Sequence, residues 1–161
     1  MALSKKTTLK YFILDVDGVL TTGQFLYTTE GKYAKIFGPH DNDGIKLLRP
    51  FLSISAISAD KRGWEITRKR VAEDMNLPLT FVSETDRLAW FKSVYNLLET
   101  VYMGDGIYDA AIFEHVAYSI APANAFHIAR NKASFVTNSA SGQGAVAEAC
   151  LHIIEKFFNQ K

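Results

Sequence analysis

A second cysteine is missing. Cys150 stands alone, so no intrachain disulfide can brace the fold, and this usage fits a reducing compartment. An excess of one charge is missing too. Lys and Arg number 18 against 17 Asp and Glu, a formal net charge of +1, so bulk charge gives no footing for nucleic acid or an acidic surface. No long apolar run follows the basic start. The stretch between Lys10 and Asp15 is only Tyr11–Leu14, too short for a signal-peptide core or a membrane span. No repeat, low-complexity tract or linker stands out. These absences lead to the expectation of a soluble, cytoplasmic protein with neither a nucleic-acid nor a membrane partner. What is present is ordinary globular material: 48% hydrophobic and 22% charged residues over 161 positions. That suits a single domain, residues 1–161, with its own core.

Apolar runs of strand length alternate with helical patterns. Strands are predicted at Tyr11–Val16, Ser53–Ile57, Leu79–Val82, Val101–Met103, Ala117–Ile120 and Phe135–Val136. Helices are predicted at Asp43–Arg49 (stopped by Pro50), Trp64–Met75, Asp86–Leu98 and Gly144–Phe158. Cys150 falls on the apolar positions of the last one and reads as core. The alternation argues for an α/β fold with a doubly wound, mostly parallel sheet. One stretch breaks it. Gln24–Tyr27 and Lys32–Phe37 flank the turn signal TTEG, which predicts a β-hairpin over about 24–37, directly after the first strand. It carries Phe25, Tyr27, Tyr33 and Phe37 and is a candidate contact with another copy of the chain.

The first strand raises a question of charge. YFIL runs straight into Asp15 and Asp17, and like charges that close are costly to desolvate. In open parallel sheets, ligands bind at the carboxyl ends of the strands, near the switch in strand order. Asp15 and Asp17 lie at such an end, and so does Asp105 in VYMGDGIYD. If the two strands are neighbours, the three carboxylates form a hard oxygen site suited to Mg²⁺, which would offset their repulsion and attract a phosphate. A carboxylate held there can attack phosphorus, and a second can serve as acid and base. Turn and helix-cap roles for these aspartates are the plain alternative.

DVDGV at the end of the first strand resembles the first motif of the haloacid dehalogenase superfamily of phosphatases, and GDGIYD resembles its acidic fourth motif. The likeness extends along nearly the whole chain. DVDGVLTTG before a hairpin, then HDNDGIKLL, and the closing SASGQGAVAEACLHII are similar to the small capless branch that contains 3-deoxy-D-manno-octulosonate 8-phosphate phosphatase. The resemblance implies a Rossmann-like domain without a large cap and a Mg²⁺-dependent phosphomonoesterase acting on a small phosphorylated metabolite, a sugar or sugar-acid phosphate. It further implies an aspartyl-phosphate intermediate and a homotetramer. Residue by residue, it makes Asp15 the nucleophile and a metal ligand. Asp17 becomes the general acid/base, with its backbone carbonyl also on the metal. Asp105 becomes the third protein ligand, Asp109 a supporting acid, and Gly18 the point of close approach to phosphate.

Two departures stand out. Where the branch reads T-G-R after the second core strand, this chain reads Ser58-Ala59-Asp60. Ser58 keeps a hydroxyl for phosphate and Ala59 takes the glycine's place. Asp60 brings an acid where an anionic substrate would meet a base, with Lys61 and Arg62 as compensating candidates. Where the branch has the lysine of D-K-L, SETDRLAWF places Arg87, which keeps the charge in a longer, planar, bidentate group. Lys92 is a further cation along the same helix. These departures keep open an alternative: a catalytically weak or inactive metal- and phosphate-binding scaffold of the same ancestry.

Overall fold

The computed structural model describes residues 7–159. Its centre is β1 (Tyr11–Asp15), which pairs in parallel with β4 (Ser53–Ser58) on one side and β6 (Thr100–Met103) on the other. The sheet continues outward through β5 (Leu79–Phe81) beyond β4, and through β7 (Tyr118–Ala121) and β8 (Phe135–Val136) beyond β6. All pairings are parallel, in the order β5-β4-β1-β6-β7-β8. The chain thus leaves β1 toward one edge and returns to its other flank, which puts the topological switch at the carboxyl ends of β1 and β6.

Strand alternation divides the core in two. Phe12 and Leu14 of β1, Ile54 and Ala56 of β4, and Val101 and Met103 of β6 face one layer. That layer holds α1 (His40–Leu48), α6 (Ala145–Ile153, continued in wider turns to Phe158) and the wider-turned continuation (Arg68–Asp74) of α2 (Trp64–Thr67). Ile13, Ile57 and Tyr102 face the other layer, with Phe91 of α3 (Arg87–Val94), Ala110 and Phe113 of α4 (Ile107–Phe113) and Ala129 of α5 (His127–Lys132). Cys150 is fully buried in the first layer.

The long helix pair α1/α6 is locked at two points. A Cβ added at Gly44 would come within 2.5 Å of the Ala147 Cα, so only glycine permits this approach. Beside it, the buried Asp41 carboxylate accepts the Val146 and Ala147 N–H groups, both at 3.1 Å, capping the start of α6.

Differences from the sequence expectations have local causes. Helix α1 begins at His40, not Asp43, and the hairpin strands β2 (Thr21–Thr28) and β3 (Gly31–Phe37) begin three residues and one residue earlier than Gln24 and Lys32. The helix expected over Asp86–Leu98 ends at Val94, because Tyr95 turns extended to pack edge-on or tilted against Tyr11, Trp90 and Phe91 and to bond Ser55 Oγ at 3.2 Å. Helices α4 and α5 escape the periodicity reading because they span only 7 and 6 residues.

Candidate active site

Immediately after β1 the backbone makes a wide turn, Val16–Leu20, in which the Thr21 N–H reaches back to the Val16 carbonyl. Val16, Val19 and Leu20 sink into the core. Asp17 stays extended (φ −77°, ψ 119°), and Gly18 adopts the left-handed φ of 81°. Thr21 Oγ1 accepts the N–H groups of Gly18 and Gly23, each at 3.1 Å, and pins the turn. Asp15 and Asp17 are thereby aimed into the crevice. A Cβ at Gly18 would stand 2.0 Å from Asp105 Oδ2. Gly18→Ala is therefore expected to cost about 1–3 kcal/mol from the backbone conformation alone and to push the Asp105 carboxylate out of place. Urea unfolding reads the first effect, and divalent-cation titration the second.

Arg87, at the start of α3, is 3% exposed. Its Nη1 lies 3.0 Å from Asp15 Oδ2, 2.6 Å from Asp109 Oδ1 and 3.3 Å from the Tyr102 hydroxyl. Tyr102 itself donates to Asp109 Oδ1 at 2.5 Å. The second Asp109 oxygen accepts the backbone N–H of Asp105 (3.0 Å) and of Gly106 (2.8 Å), which fixes the loop after β6. Burial by itself would lower the guanidinium pKa. Tyr102, Asp15 and Asp109 overrule it and hold the Arg87 pKa above its ordinary value. Burial pushes the Asp15 carboxyl well up; Arg87 opposes this, while Asp109, Asp105 and Asp17 add to it. Arg87 Nε is buried without an acceptor.

On the β4 side, Asp17 is clamped between two elements. Ser58 Oγ donates to Asp17 Oδ2 at 3.0 Å and accepts the Asp60 N–H at 3.1 Å. Lys35 Nζ, reaching in from the hairpin, forms an ion pair with Asp17 Oδ1 at 2.7 Å and another with Asp60 Oδ2 at 2.7 Å. Lys32 joins Asp60 Oδ2 at 2.5 Å and lies over the Phe25 ring, 3.5 Å from its centroid. Burial would raise the Asp60 carboxyl, but Lys32 and Lys35 hold it below its ordinary range. Asp60 is thus a neutralised acid rather than a bare negative charge facing the crevice.

The carboxylates and Arg87 border a cavity of about 490 Å³, which is also lined by Phe25, Tyr27, Ala59, Lys61 and Arg62. Oxygens of Asp15, Asp105 and Asp109 lie within 4.8 Å of one another. Both Asp109 oxygens are already spoken for, but no cationic side chain pairs with Asp105 among the described residues. Burial, and next the Asp109 charge, push the Asp105 carboxyl up to about 7. Such a set of hard oxygens, with one acid left uncompensated, fits a divalent cation.

The structure therefore brings Asp15, Asp17, Gly18, Ser58, Ala59, Arg87, Asp105 and Asp109 to one crevice. Lys92 is exposed and forms no hydrogen bond or ion pair with these residues among the described residues. Ser58 is fully buried, its hydroxyl turned to Asp17. Sequence reasoning missed Tyr102, Lys32 and Lys35. Tyr102 carried a signal, as a polar aromatic in a strand one residue from the end, directly before Met103-Gly104-Asp105. The lysines carried none, since only the hairpin's fold over the crevice brings them there. Phe25 and Tyr27, expected in a contact with another copy of the chain, line the chain's own cavity.

Comparison with known proteins agrees with this geometry. Residues 92–150 match the family of haloacid dehalogenase-like hydrolases. The chain is 31% identical, over 89% of its length and 82% of the relative's, to 3-deoxy-D-manno-octulosonate 8-phosphate phosphatase of Haemophilus influenzae. Among solved structures, a probable YrbI-family phosphatase from Pseudomonas syringae superposes with a TM-score of 0.85 at 28% identity, covering 96% of this chain and 89% of that one. The cobalt-bound deoxy-D-mannose-octulosonate 8-phosphate phosphatase of Haemophilus influenzae superposes with a TM-score of 0.78 at 29% identity, covering 93% and 90%. The chain belongs to the haloacid dehalogenase superfamily, as a phosphatase of the capless branch that resembles 3-deoxy-D-manno-octulosonate 8-phosphate phosphatase.

Proposed function

We propose that the protein hydrolyses a small sugar or sugar-acid phosphate with Mg²⁺ as cofactor and an aspartyl-phosphate on Asp15 as intermediate. The observation that carries this reading is the pairing of Asp15 with Arg87 on a cavity where Asp105 has no cationic partner among the described residues. Asp15, Asp105 and the Asp17 backbone carbonyl would hold the ion. Mg²⁺ there neutralises carboxylate and phosphoryl charge together. An Asp15 oxygen attacks phosphorus, the bond to the leaving alcohol breaks, and Asp17, entering the step as the carboxylic acid, gives that oxygen its proton. Water then attacks the phosphorus, Asp17 takes its proton, and inorganic phosphate leaves Asp15. Arg87, whose Nε lacks an acceptor, steadies the phosphoryl oxygens. Gly18, Ser58 and Ala59 complete the near side, with Asp109 holding Arg87 and the loop after β6. The hairpin's exposed Leu26, Tyr33 and Ile36 support a homotetramer, which sedimentation can check. The test of the function is phosphate release from a panel of sugar and sugar-acid phosphates with and without Mg²⁺. Mg²⁺-dependent release is expected from at least one; none from any, with the ion bound, would overturn the reading.

The carboxyl shifts give this cofactor a pH signature. Asp105 titrates near 7 in the folded chain and near the ordinary ~3.9 once unfolded. The folded state therefore binds the proton more tightly, and metal-free stability falls as pH rises from about 4 to about 7, by a few kcal/mol. A bound cation reverses this cost. The rise in Tm on adding Mg²⁺ is expected to be several degrees larger at pH 8 than at pH 5. Equal shifts at both pH values would remove Asp105 from the ion's ligands.

A further inference from the structure

The hairpin contributes more than exposed apolar surface, because its Lys35 is the most enclosed cation on the Asp17 side of the crevice. The residue is 8% exposed and the side chain itself fully covered. Its ammonium is held by three separate pieces of the fold, in ion pairs with Asp17 Oδ1 after β1 and Asp60 Oδ2 after β4 and by a hydrogen bond donated to Thr67 Oγ1 in the helix that begins at Trp64, each at 2.7 Å. The backbone makes room for it. A Cβ at Gly63 would stand 2.6 Å from Lys35 Cε and 2.2 Å from Asp60 Oδ2. On the other flank of Asp17 stand the carboxylates of Asp15 and Asp105, whose charges act on one another and on it. Among the described residues, Lys35 is the only side-chain cation paired with Asp17 against that repulsion.

We infer that Lys35 is the positioning residue of the phosphatase site: with Ser58 it fixes the Asp17 carboxylate toward the leaving-group side of the crevice, so that the hairpin sets the efficiency of proton delivery. The inference rests on the proposed role of Asp17 as proton donor to the leaving alcohol. It makes a distinction that general loosening of the fold does not. An alkoxide leaving group needs the proton, whereas 4-nitrophenolate is a stable anion and leaves without it. A positioned acid contributes about 10²- to 10⁴-fold, and that contribution is at stake only for the first kind of ester.

Lys35→Met, in the full chain with Mg²⁺, is expected to lower kcat about 100-fold or more on the best sugar phosphate of the panel, and less than about tenfold on 4-nitrophenyl phosphate, with KM little changed for either. In an Asp17→Asn background it is expected to add no further loss. Gly63→Ala, which crowds Lys35 without removing its charge, gives the same signature in milder form and serves if Lys35→Met does not fold. Equal losses on the two esters, a loss confined to KM, or a full additional loss in the Asp17→Asn background would overturn the inference while leaving the phosphatase reading intact. If the unmodified protein released phosphate from neither ester, that reading and the inference would fall together.

Discussion

Arg87→Met is expected to lower folding stability by about 3–5 kcal/mol, the cost of breaking a buried ion pair from one side. Methionine roughly fills the space but carries no charge. Asp15 and Asp109 would then face each other across a site where Arg87 Nη1 had stood 3.0 and 2.6 Å from them. The Tyr102 hydroxyl, 2.5 Å from Asp109, cannot supply the missing positive charge. Urea unfolding at pH 7.5 reads the loss. Part of it should return at pH 5, because the Asp15 carboxyl is already held up by burial and takes a proton readily once Arg87 is gone. Arg87→Lys should cost less, since a charge remains, and its activity would show how far the planar guanidinium is tuned to this pocket. A destabilisation by Arg87→Met below about 1 kcal/mol would mean that the buried network contributes little net stability.

Asp15→Asn is expected to reduce phosphate release by more than about 10³-fold while leaving the fold intact. The amide cannot attack phosphorus, so the proposed covalent route closes. Little else changes, because Arg87 keeps Asp109 at 2.6 Å and the Val16 N–H can still bond the side-chain amide oxygen that replaces Asp15 Oδ1. Removing a carboxylate that burial and three neighbouring acids oppose even offsets the weaker Arg87 contact. Rapid quenching should trap phosphorylated protein in the natural chain and none in the variant. Activity within tenfold of the natural chain would exclude Asp15 as nucleophile and move the chemistry to water activated elsewhere in the crevice.

The parts of this arrangement that were legible in the sequence are those carried by short-range patterns. The six core strands are apolar runs a few residues long, bounded by turns or charges, and their placement survives to within a residue or two. Asp15, Asp17 and Asp105 were readable because they follow strand ends, where a parallel sheet gathers ligands. Arg87 was readable as a site cation, but not its depth: nothing local says that a helix-starting arginine points inward at 3% exposure. Lys35 was illegible for a stronger reason. Along the chain it sits between Ala34 and Ile36 in a hairpin of exposed aromatics, as a solvated strand lysine would. Only the fold-back of β2 and β3 over the end of β4 gives it Asp17 and Asp60, 18 and 25 residues away in sequence. Tyr95 shows the opposite error, since its helical spacing is real but an aromatic cluster claims it first.

The central place of β1 in the sheet also governs when this enzyme can come into being during synthesis. Its first neighbour, β4, begins at Ser53, and its second, β6, at Thr100. The strand that carries Asp15, the proposed nucleophile, leaves the ribosome before either of them, and one of its edges stays unpaired until β6 has followed. Arg87, the partner of Asp15, gains Asp109 later still, and the α1 face is closed only by α6, whose start Asp41 caps. A nascent chain halted anywhere before α6 would therefore expose apolar residues of β1 and the hairpin aromatics together, the kind of surface that chaperones bind. Folding of this domain therefore waits for α6, and the crevice is complete only once that helix has closed over α1.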